Sequence, residues 1–210
     1  MKKEKIDLFY GSLLHAVGKV IQGSTDDEKD IGSIGAEWFR RFLDNEKIAQ
    51  QIARATSSSV ATDLAPDSLV YITSAAAKIA SGLKGAAETY EEKEDFLRKQ
   101  SDIFNVFSDI PSQRYVDARL LELYWEPNYA KESSESSDQS DYDLIVETLE
   151  KEFEWFNFSQ SEIDAILNLL ESTLSYVPVS TRSKELSDIS LATYSRLTAG
   201  FALAIEEYLA

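Results

Sequence analysis

The chain has 210 residues, 43% hydrophobic and 28% charged, enough for one substantial core. Its 37 acidic against 21 basic residues leave a formal charge of −16, a field that repels phosphate backbones and serves solubility first and a basic protein surface second. The absence of cysteine excludes disulfides, thiolate metal sites and cysteine nucleophiles, and the only histidine is His15.

Taken in order, the basic start Met1-Lys2-Lys3-Glu4-Lys5 leads into an apolar run that Asp7, His15 and Lys19 interrupt, so it is no signal peptide. No eighteen apolar residues run together anywhere, which argues against a membrane span and makes the cytoplasm the expected compartment. Ile6, Phe9, Leu13, Val17 and Val20 recur at three- and four-residue steps, predicting one helix over 4–22 that ends at Gly23-Ser24-Thr25-Asp26. The charged stretch 26–30 lacks the glycine and terminal glutamate of a calcium loop. A second helix is expected over 31–43, with Ile34, Trp38 and Phe42 inward. Ile48, Ile52 and Ala55 mark a third, and Pro66-Asp67 opens a fourth carrying Leu69, Ile72, Ala76 and Ile79.

Residues 84–99 are charged. Strand character follows at 103–107 and 115–125, where Leu121, Leu123 and Trp125 alternate with Glu122 and Tyr124, and a small β-hairpin is expected there. The stretch 131–141 is acidic and serine-rich, too poor in apolar surface to offset the entropy of ordering, and a mobile loop is expected. A helix over 142–156 should bury Leu144, Ile145, Leu149 and Phe153, leaving Glu150, Glu152 and Glu154 solvated. The Ser159-x-x-Glu162 capping pattern starts the next, and a last helix over 188–209 should turn Leu191, Leu197, Phe201 and Ile205 to one face. Trp155-Phe156-Asn157-Phe158 reads as core. The fold class is mostly α, in a single domain.

Several segments carry a resemblance. The run Phe9 to Val20 around His15, Gly35-Ala36-Glu37-Trp38-Phe39, Leu69-Val70-Tyr71-Ile72-Thr73 with Ile79-Ala80-Ser81-Gly82, Asp102-Ile103-Phe104-Asn105-Val106-Phe107, and Asp188-Ile189-Ser190-Leu191 with Ser195-Arg196-Leu197-Thr198-Ala199 occur in one order along the chain. In that order and spacing the chain resembles the HD nuclease domain that begins the large subunit of type III-A CRISPR effector complexes, streptococcal type. The resemblance implies an HD-like helical bundle that holds divalent metal and cleaves single-stranded DNA. Such chemistry needs imidazoles and carboxylates converging from several helices, so that bound metal acidifies a water.

At the positions the resemblance assigns to ligands, this chain carries other residues. Ala16 stands for the aspartate that follows the signature histidine, Ile31, Ala55 and Ser68 for histidines, Ala77 for an aspartate, and Thr193-Tyr194 for an Asp-His pair. His15 alone cannot supply several imidazoles, so 1–210 is expected to be a degenerate HD-like domain with no metal, no cofactor and no enzymatic activity. The family's cyclic oligoadenylate synthesis uses a Gly-Gly-Asp-Asp turn in polymerase-like domains; the chain has no Gly-Gly pair and is expected to end where that part begins.

Glycine-rich phosphate loops and the Gly-x-Ser-x-Gly elbow are also absent. The functional expectation is a protein-binding pseudoenzyme, an inhibitor or decoy (anti-CRISPR-like) of a type III CRISPR complex whose subunits are its partners. The alternative is a non-catalytic HD fragment of the large subunit acting as scaffold, and the third reading is a residual metal-dependent nuclease. Direct binding of nucleic acid or membrane is not expected.

Overall fold

The computed structural model describes residues 2–25, 29–55, 64–65, 68–81, 116–117, 131–132, 139–175, 177, 179 and 189–210. Its helices are α1 (Lys3–Leu14), α2 (Gly18–Ser24), α3 (Ile31–Phe39), α4 (Glu46–Arg54), α5 (Leu69–Ala80), α6 (Gln139–Phe153), α7 (Ile163–Leu174) and α8 (Leu191–Leu209). The mostly helical, HD-like class expected from the sequence is the class observed. No described helix is long and apolar enough to cross a membrane.

The single helix expected over 4–22 is two. The chain tightens at His15-Ala16-Val17, where Val17 N–H donates to Leu14 O and Lys19 N–H to Ala16 O, three residues back instead of four. The break swings α2 across α3 and α6, while α1 continues to pack against α4, α5 and α8. Gly18 makes the crossing with α3 feasible, because a Cβ there would lie 1.9 Å from the Ile31 carbonyl oxygen. Side chains set the starts of several helices. Asp30, Asn45, Ser68 and Ser190 accept from backbone N–H groups at α3, α4, α5 and α8. Ser159 and Glu162 form the expected capping box, leading into α7 through a 3-10 turn at Gln160–Glu162.

The core lies along α1. On one side Tyr10, Phe39, Phe153 and Phe158 stack edge to face, with Trp38 and Phe42 extending the cluster. Phe158 adopts φ 54°, a left-handed conformation of order 1 kcal/mol or more for a bulky residue, held by its burial among these rings. The tetrapeptide read as core therefore splits. Phe158 is buried and Phe156 half-buried, whereas Trp155 is 77% exposed. Glu150 is tied down as well: it accepts from Trp38 Nε1 at 3.0 Å and from Arg41 Nη1 at 2.6 Å.

The last helix is rotated from the expected face. Ser195, Thr198, Ala199 and Ala202 point inward, while Leu197 and Phe201 face out and Ile205 is half-buried. Small side chains let α8 approach α1 and α5 closely, and that packing outweighs the larger residues' apolar area. Leu144 on α6 and Ile79 on α5 also lie outward.

The expected β-hairpin insertion is not supported. Segment 103–107 lies outside the described residues. Val116–Asp117 (β1), within the expected second strand, pairs antiparallel with Lys131–Glu132 (β2), in the register Val116↔Glu132 and Asp117↔Lys131. A ladder of two residues per strand is too short to be stable by itself. Of the stretch expected to be mobile, 131–132 form β2, 139–141 open α6, and 133–138 lie outside the described residues, as do 66–67 and 84–99.

Candidate functional site

His15 closes α1 and is fully buried. Its Nδ1 lies 2.7 Å from Ser12 O. A carbonyl only accepts, so Nδ1 carries the proton and Nε2 holds the lone pair. Nε2 is buried with no hydrogen-bond partner among the described residues. Burial lowers the imidazole pKa to about 4, with the Ser12 carbonyl opposing, so the ring is neutral at pH 7. The Tyr194 ring packs at 5.1 Å, tilted by 56°. Tyr194 Oη donates to Ala77 O at 3.4 Å, and burial pushes its hydroxyl pKa up to about 12.

The fold thus brings His15, Ala77 and Tyr194 together, joining the end of α1, the last turn of α5 and the first turn of α8. Ala16 is buried beside them in sequence but contributes only a methyl. Ile31 is the first residue of α3, Ala55 follows the last turn of α4, and Ser68 caps α5, its Oγ accepting from Val70 N–H at 3.4 Å. Thr193 is exposed on α8, its Oγ1 3.1 Å from Ser190 Oγ, at a shallow depression with Leu167, Leu170 and Arg196.

A neutral imidazole whose Nδ1–H is fixed by a carbonyl presents Nε2 as metal-binding histidines do. The contacts recorded for the ring are the Ser12 carbonyl and the Tyr194 ring, whose hydroxyl donates to Ala77 O. Among the described residues no three His, Asp or Glu side chains gather. Those described residues alone do not supply the four or more donors that a divalent metal needs.

Sequence reading missed a polar seam beside this pocket. Ser12 Oγ lies 2.8 Å from Thr73 Oγ1, Thr73 Oγ1 donates to Gln51 Oε1 at 2.7 Å, and Gln51 Nε2 donates to Asp7 O and Lys47 O, each at 3.0 Å. With its proton committed to Gln51, Thr73 accepts from Ser12. Asn45 Nδ2 donates to Asp7 Oδ1 at 2.8 Å. The seam stitches α1 to α4 and α5 chiefly through Ser12, Gln51 and Thr73, which are fully removed from water, and no local spacing signals it.

No family model matches the chain. It is 46% identical over 216 aligned residues to the CRISPR system single-strand-specific deoxyribonuclease Cas10/Csm1 (subtype III-A) of Streptococcus thermophilus, covering 100% of this chain and 28% of that protein. Among solved structures it is similar to Csm1 in T. onnurineus, with TM-score 0.65 and 23% identity over 97% of this chain and 29% of that one. It is also similar to a Csm1-Csm4 subcomplex of the type III-A CRISPR-Csm interference complex, with TM-score 0.64 and 22% identity over 98% of this chain and 28% of that one. At these identities the solved structures establish a common fold. The chain spans less than a third of the length of these relatives.

Proposed function

The chain is homologous over its whole length to the N-terminal region of Cas10/Csm1, the large subunit of subtype III-A CRISPR complexes, and on that premise we propose that it is a metal-free HD-like module acting by protein contact. Its role is structural: it supports the polymerase-like remainder of a type III large subunit and cleaves no DNA. The observation carrying this reading is the His15 pocket, where the buried imidazole nitrogen has no partner among the described residues and the adjoining Tyr194 hydroxyl is committed to Ala77 O. The relatives are named as deoxyribonucleases, and that chemistry needs several donors around a metal.

The full-length similarity favours the scaffold over the decoy. A decoy would compete in trans with a tethered domain whose effective concentration is about millimolar. Solved Csm1 chains bound to Csm4 support protein partners from a type III complex, and the cytoplasm is the compartment proposed for the chain.

The test mixes the tagged chain with a type III-A complex whose large subunit lacks the matched N-terminal region and, separately, with single-stranded DNA and Mn2+. Retention of large-subunit material without cleavage is the expected outcome. Cleavage that His15→Ala abolishes would overturn the proposal and restore the nuclease reading.

A further inference from the structure

The glycines of this fold are not alike. At Gly11, Gly18, Gly23, Gly32 and Gly35 an added Cβ would meet a neighbour closer than 3.0 Å, so each is demanded by packing within the chain. Gly200 is different. It lies mid-way along the 19-residue α8, where glycine weakens a helix, and a Cβ there would meet nothing within 4 Å. No contact among the described residues accounts for it.

Its surroundings do. At 3.6 residues per turn Leu197, Gly200, Phe201, Ala204 and Tyr208 share one face, and all five are exposed: Leu197 by 41%, Phe201 by 37% and Tyr208 by 90%. Charged side chains stay at the edges, where Arg196 pairs with Glu171, and Glu206 and Glu207 with Lys5. The result is an apolar stripe roughly 16 Å long, from Leu197 to Tyr208, with its low point at Gly200. A glycine opening onto empty space between large apolar side chains permits one thing a larger residue forbids, the close approach of another backbone.

We infer that the outer face of α8 is a docking surface for an apolar helix from the remainder of a Cas10/Csm1-type large subunit, crossing at Gly200. The inference rests on the scaffold reading above and names the surface through which it operates. Two facts choose this occupant. The Streptococcus thermophilus relative carries 72% of its length outside the similar region (100% less the 28% covered), so a fold of this kind is accompanied there by a much larger body. A second copy is disfavoured, since both copies would bring a formal charge of −16 to the contact. The stripe is one helix wide and three turns long, which fits a single helix crossing it.

The experiment titrates the full chain against Streptococcus thermophilus Cas10/Csm1 lacking its matched N-terminal region, by calorimetry, using wild type, Gly200→Leu, Phe201→Glu and the distant exposed-site control Trp155→Ala. Thermal melts of each isolated variant run alongside. Gly200→Leu has room in the isolated chain and replaces a poor helix former, so its melting temperature should stay level or rise while its affinity falls by about tenfold or more. Phe201→Glu should also lose affinity, and Trp155→Ala should bind like wild type. Wild-type affinity in Gly200→Leu would overturn the docking face and leave the scaffold reading standing. Absence of wild-type binding up to roughly 100 µM would overturn both. A dimer of the isolated chain in light scattering, dissolved by Gly200→Leu, would also overturn the inference and assign the stripe to a second copy.

Discussion

Two buried polar regions meet α1 less than one turn apart, and they have opposite hydrogen-bond outcomes. In the seam of Ser12, Thr73, Gln51 and Asp7, each donor and acceptor named above finds a partner between 2.7 and 3.0 Å. At His15 the ring is equally buried, yet Nε2 has no partner among the described residues. Ser74, next to Thr73 in α5, repeats the contrast, since its buried hydroxyl also lacks one. A paired buried group fixes the geometry of three helices. An unpaired one bears the cost of leaving water without that return. The pocket thus carries a desolvation cost that the seam recovers, and the seam ties α1 to α4 and α5.

The sharpest way to break the comparison is to remove the hub of the seam. Gln51→Ala leaves a cavity, orphans the Thr73 hydroxyl and the Asp7 carbonyl, and should cost about 4 kcal/mol in urea denaturation. Acid probes the pocket instead. The neutral form of His15 is favoured in the folded state, so its contribution is intact above the unfolded pKa near 6.5. It is lost as pH falls through that value toward about 4, some 3 kcal/mol in all. Stability measured across that window should fall with decreasing pH, and His15→Leu should remove this component of the slope. A wild-type profile that His15→Leu leaves unchanged would mean the ring is not buried neutral.

Adjacent residues of α5 sharpen the contrast further. Thr73→Val keeps shape but deletes the bridge between Ser12 and Gln51, and should cost about 2 kcal/mol. Ser74→Ala removes a hydroxyl with nothing to lose, so denaturation should register a change within about 0.5 kcal/mol, or a slight gain. Equal losses at both positions would erase the distinction between paired and orphaned groups.

Much of the framework was legible because it is written in local spacing. The apolar period around Phe9 and Leu13, the stripe of Ile48 and Ile52, and the Ser159 capping box all specify helices from residues within a few positions of one another. The break after Leu14 was not, because Gly18 acts through the Ile31 carbonyl, and a helix-period pattern passes through it unchanged. The facing of α8 was misread for a related reason. Periodicity ranks Leu197 and Phe201 above Ser195 and Ala199, whereas close approach to α1 and α5 selects the smaller set. For the site, the sequence announced that one histidine stands alone. The seam stayed hidden, since Ser12, Gln51 and Thr73 are common polar residues that acquire meaning only across helices.

Metal content decides the central claim most directly. Equilibrium dialysis of the chain against manganese, nickel or zinc at pH 7, followed by elemental analysis, should leave far less than one ion per chain, the same in wild type and His15→Ala. One or two ions bound per wild-type chain and lost in His15→Ala would contradict the account.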